Sequence, residues 1–140
     1  MGRKQLKIAP LLARYNGHDR DPRYLAFFDC FNTGRYFEAH EVLENLWLEE
    51  PGPDYGFYKG LIQLAGAFVH VQKHRPAPAS ALLKLAAANL SLYGATHHGL
   101  DLNSVLELTR VWLERVQACG QDVSPLDVGR PELSLQPGNT

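Results

Sequence analysis

Apolar positions recur along this chain at helical spacing, in runs separated by short polar, proline or glycine breaks. Asp21-Pro22 pairs an N-cap acid with a proline suited to a first turn and predicts a helix to Asn32, stopped by Gly34 in a left-handed conformation. A second helix starts at Arg35 or Tyr36 and runs to the break "PGPD". Asp54 is placed to cap a third through "YGFYKGLIQLAGAFVHVQKH", ended by Pro76 and Pro78, which cannot donate the bond a helix interior needs. "ASALLKLAAANLSLY" predicts a fourth, closed by Gly94. Asp101 opens a fifth, "LNSVLELTRVWLERVQAC", which stops at Gly120.

The last segment, "QDVSPLDVGRPELSLQPGNT", is too rich in proline and glycine for another helix and is expected to lay Leu126, Val128, Leu133 or Leu135 on the surface of the others. Strand-like alternation and solenoid repeats are both missing. The expected fold is all-α, a compact bundle of about five helices with a short irregular C-terminal tail. Residues 1–20 read as an N-terminal arm or short helix, 21–120 as one bundle domain and 121–140 as the tail; a chain of 140 residues suits one core.

Charge narrows the partners. Lys plus Arg total 14 against 15 Asp plus Glu, a formal charge of -1, so neither nucleic acid nor an anionic membrane is expected. The basic opening "MGRKQLKIAP" is followed by an apolar stretch too short and too interrupted for a secretory signal and reads as an exposed arm. The stretch "GLIQLAGAFVHVQ" falls short of the roughly 20 apolar residues a bilayer requires. Cys30 and Cys119 lack the paired spacing of a disulfide framework or metal cluster and read as small core residues in a cytoplasmic protein.

Candidate chemistry concentrates in "YFEAHEVLENLWLEE", residues 36–50. At about 100° per residue, Glu38, Glu41, Asn45 and Glu49 gather on one solvated side. His40 and Glu44 instead interrupt an otherwise apolar arc. Four residues apart, they are neighbours on adjacent turns, where a carboxylate can orient an imidazole as acid or base or both can reach one ligand. A buried structural His-Glu hydrogen bond would satisfy the same pattern. On the third helix Lys59, Gln63, Gly66, His70, Lys73 and His74 share a polar side. Lys59, Lys73 and His74 read as solvated, whereas Gln63 and His70 converge with His40 and Glu44 if the second helix packs on the small residues Gly56, Gly60, Gly66 and Ala67.

Phosphate-loop, His-Glu-x-x-His, nucleophile-elbow and paired Glu-x-x-His motifs are all missing. No cofactor is identified and no metal is expected; were a divalent ion bound, His40, Glu44 and His70 are the ligands at hand. His97-His98, in the glycine-bounded loop "GATHHG", could bind a metal adventitiously, but loop histidines are more often polar turn residues, and the pair reads as such. Trp47 and Trp112 fall at helical spacing as core or interface anchors.

The blocks "FNTGRYFEAHEVLENLWLEE", "YKGLIQLAGAFVHVQKH" and "GLDL" resemble the domain-of-unknown-function family 309, over roughly residues 22–115. The Gly-x-Tyr-Phe-Glu-Ala-His-Glu core with its downstream Trp is the specific part. The resemblance implies a compact helical bundle in which Glu38, His40, Glu41, Glu44 and Trp47 occupy signature positions and Gln63 and His70 match the second block; it brings no established reaction. Where members of that family often carry a Gly-Asn turn and a small residue after the third helix, this chain has "HRPAPAS".

Two functional readings stand. The first is a ligand-binding or protein-interaction module with a polar cleft around His40 and Glu44, where Glu41, Trp47, Gln63 and His70 contribute to holding a small polar ligand, and with self-association through exposed helix faces. The second is an enzyme, such as a metal-assisted hydrolase, using His40 as acid or base and Glu44 as its orienting carboxylate.

Overall fold

The computed structural model describes residues 20–119, 126 and 129–135, and within them five α-helices follow one another: α1 (Pro22–Asn32), α2 (Tyr36–Glu49), α3 (Tyr55–Gln72), α4 (Pro76–Leu90) and α5 (Leu102–Cys119). The all-α expectation is met. Asp21 caps α1 by accepting from the Arg23 backbone N–H at 2.8 Å, and Gly34, at φ +80°, turns the chain into α2. Asp101 caps α5, accepting from the Ser104 backbone N–H at 3.2 Å and from its hydroxyl at 2.9 Å. The expected arm at 1–20 lies outside the described residues except for Arg20, and so do Val128 and the helix stop at Gly120.

Pro76 and Pro78 do not merely end α3. They occupy the first turn of α4, where a missing N–H costs nothing because that turn's donors have no intrahelical partner. Helix α4 therefore starts earlier than the sequence reading placed it, and its last residues tighten into a short 3₁₀ turn, Ser91–Tyr93. A second departure is a minimal hairpin between Thr96–His97 (β1) and Leu100–Asp101 (β2), pairing Thr96 with Asp101 and His97 with Leu100. Two residues per strand leave no alternation to read.

α2 packs between α1 and α3, α3 packs most extensively on α4, and α4 also carries α5. The core converges on Phe68 of α3, whose ring lies 5.6 Å from Phe31 of α1, 5.3 Å from Tyr36 of α2 and 5.1 Å from Trp112 of α5. Cys30 is fully buried in this core, and Cys119, at the end of α5, is partly buried.

The tail behaves as its apolar residues suggest. Leu133 is buried, Leu126 and Leu135 are partly buried against the core, and Leu135 bridges Leu100 in antiparallel fashion. The Asn32 side chain donates to the Leu133 carbonyl at 2.7 Å and accepts from its N–H at 2.7 Å, tying the tail to the end of α1. Among the described residues no helix is long and apolar enough to cross a membrane.

Candidate functional site

Helix α2 buries Tyr36, Ala39, Val42, Leu43 and Leu46, and this stripe fixes the direction of every other side chain on it. Glu38 and Glu49 are exposed, as their positions predict. His40, Glu44 and Trp47 lie on one flank of the stripe and are partly buried. Glu41 departs from the expected solvated side: its side chain is only 15% exposed, and its Oε2 lies 3.6 Å from His40 Nδ1. That is an ion-pair approach too long for a hydrogen bond. One donor atom each from His40, Glu41 and Glu44 lie within 4.8 Å of one another.

His40 faces α3 at Gly66, where an added Cβ would lie 3.9 Å from His40 Cδ2 and 3.4 Å from Leu82 Cδ1 of α4. His70 follows one turn later on α3. The Nδ1 atoms of His40 and His70 are both buried without a hydrogen-bond partner, as is Trp47 Nε1, whose ring packs 5.0 Å from Tyr55. Burial disfavours the charged form of His70, and Arg75 and Lys73 add repulsion, so its pKa lies below the ordinary histidine value.

The expected convergence forms only in part. Gln63 turns to α4, where its Oε1 accepts from Asn89 Nδ2 at 2.7 Å. Gly56 and Gly60 receive Tyr93 and Leu90 rather than α2, so the stripe of small residues serves mainly the α3–α4 contact. His70 does not join His40 and Glu44 as a metal triad: among the described residues the third donor beside that pair is Glu41. Lys59, Lys73 and His74 are exposed as read.

A second polar cluster was not anticipated. Asp54 stands at the N-cap position of α3 but makes no side-chain capping bond. Its Oδ1 is 2.7 Å from His97 Nε2 and its Oδ2 2.7 Å from His98 Nε2. Partial burial pushes the Asp54 carboxyl up, but hydrogen bonds and charge from His98 and His97 outweigh it and hold the group below its usual range. The adjacent histidines were the available signal; Asp54 is distant in sequence, and its position before a helix start suggested a cap instead.

Residues 24–82 match the family described as a domain of unknown function (DUF309). Among curated proteins the chain is 33% identical over 101 residues to the uncharacterized protein YpuF of Bacillus subtilis (strain 168), an alignment covering 67% of this chain. It covers 56% of the relative, so the chain spans little more than half of that protein's length. No solved structure shows significant similarity. The matched segment runs from α1 into α4 and contains His40, Glu41, Glu44, Trp47, Gln63 and His70, so through residues 24–82 the chain is similar to this family of unknown function.

Proposed function

We propose that the bundle is a binding module, and that the corner formed by His40, Glu41 and Glu44 beside Gly66 and His70 receives a small polar ligand. The observation supporting this reading is the pair of buried Nδ1 atoms on His40 and His70, neither with a hydrogen-bond partner. A buried polar atom without a partner costs about 1–3 kcal/mol, and a ligand that satisfies it recovers that amount as affinity. The flanking carboxylates of Glu41 and Glu44 favour a ligand with positive charge as well as hydrogen-bonding capacity, such as a small amine or amino alcohol.

A thermal-shift series of small amines and amino alcohols on the native chain, His40→Ala and Glu44→Ala tests the reading. The native protein should gain melting temperature with at least one member of the series, and both variants should stay folded and lose that response. If His40→Ala collapses the fold and no compound shifts the native melt, the pair is structural and the binding reading is wrong. One observation favours an alternative, a metal-assisted hydrolase: the donor atoms of His40, Glu41 and Glu44 lie close enough together to share a divalent ion. A divalent ion that stabilises the native chain but not His40→Ala would move the assignment toward that enzyme.

A further inference from the structure

His97 and His98 are consecutive, yet both imidazoles reach one carboxylate. In extended backbone successive side chains point to opposite faces. Here the chain reverses at His98, which takes a left-handed conformation at φ +47°, followed by Gly99 at φ +76°. A non-glycine residue in that region carries strain of about 1–2 kcal/mol. The strain is held in place by the β1–β2 pairing, by the Leu102 N–H donating to the Ala95 carbonyl at 2.8 Å, and by the Tyr24 hydroxyl donating to the His98 carbonyl at 3.0 Å. The rings are further fixed by aromatic neighbours: Phe57 and Tyr93 lie 4.6 and 4.9 Å from His97, and Tyr58 stacks on His98 at 6.2 Å. Asp54 meanwhile forgoes the helix cap that its position offers.

We propose that Asp54, His97 and His98 form a binding site for a divalent transition-metal ion of the zinc type, separate from the α2 corner. Two imidazole nitrogens and one carboxylate, with donor atoms all within 4.8 Å of one another, match a three-ligand set that leaves a coordination position for water. Mixed nitrogen and oxygen donors select zinc, cobalt or nickel over magnesium and calcium, which take oxygen ligands. Metal–ligand bonds of about 2.0–2.2 Å in a tetrahedron set donors roughly 3.4 Å apart, so the 2.7 Å contacts open modestly as the ion enters. Each Nε2 proton now shared with Asp54 leaves: a neutral ring carries its proton on Nδ1 instead, and a cationic ring releases one to solvent. His98 and Asp54 are partly open to solvent, which provides the entry path.

Cobalt(II) titration of tag-free, chelator-treated protein, read by visible d–d absorption and by melting temperature, tests the site. The native chain should show a tetrahedral cobalt spectrum, displaced by zinc, and a raised melting temperature. Asp54→Asn and His98→Asn should each weaken binding by more than about tenfold, because losing even a supporting partner of a ligand costs that much. Asparagine tolerates the left-handed conformation, so His98→Asn keeps the turn and remains informative if Asp54→Asn unfolds, as checked by circular dichroism. His40→Ala should leave the cobalt spectrum unchanged, separating this site from the α2 cluster. A native chain without cobalt absorption, or a spectrum that survives in folded His98→Asn, overturns the proposal and leaves Asp54 as a clasp between loop and helix.

Discussion

Gly60 and Gly66 read alike in the sequence, as small residues on a polar-sided helix, yet their surroundings predict opposite outcomes on substitution. A Cβ at Gly60 would lie 2.8 Å from Leu90 Cγ, inside the tight α3–α4 contact. Gly60→Ala should therefore destabilise the protein by about 1–3 kcal/mol in urea denaturation. At Gly66 the nearest atom, Leu82 Cδ1, is at 3.4 Å, an ordinary contact. Gly66→Ala should add up to about 1 kcal/mol through helix propensity alone. His74 is the complementary case: it turns the chain after α3 at φ +57°, a conformation that glycine adopts freely. His74→Gly should stabilise by a few tenths to about 1 kcal/mol, visible as a higher melting temperature. Glycine spacing was legible in the sequence; which neighbour each glycine admits was not, because that depends on how α4 crosses α3.

At the scale of elements, caps and breaks carried most of the fold. Asp21, Gly34 and Asp101 each act as their types predict, because capping is decided within one turn of chain. Asp54 followed the same local rule in position but not in bonding, since a loop more than forty residues away supplies its partners. The face of α2 was equally legible for His40 and Glu44, while the burial of Glu41 required knowing what surrounds the helix. The tail's attachment is likewise tertiary, and it rests on one side chain. Asn32 satisfies both backbone groups of buried Leu133, so Asn32→Leu should leave two polar groups without partners. A loss of about 1–3 kcal/mol is expected. Hydrogen exchange should show earlier opening around Leu133 and Leu100 than in α3, which would place the loss in the tail rather than in the bundle.

Across the whole molecule, the response to acid connects the site to stability. His70 titrates below its ordinary value of 6.5 because burial, then Arg75 and Lys73, disfavour its cation. The unfolded chain therefore takes up this proton more readily than the folded one. Above the ordinary value both states are neutral and the stability contribution is fully present; as pH falls through 6.5 toward the lower folded-state value, stability declines, and below that value the difference stays constant. Asp54 acts in a more acidic window: its folded carboxyl lies below the ordinary 3.8, so its contribution is present above that value and is lost as pH falls through the folded one. The two windows separate the contributions experimentally. His70→Leu removes both the titrating group and the unpartnered Nδ1, so it should match or exceed the native stability at neutral pH and flatten the decline between neutral and mildly acidic pH. The steeper loss at lower pH should remain. If urea midpoints of His70→Leu fall with mild acid as steeply as those of the native chain, the decline arises elsewhere, and the buried His70 nitrogen is not the group that senses the proton.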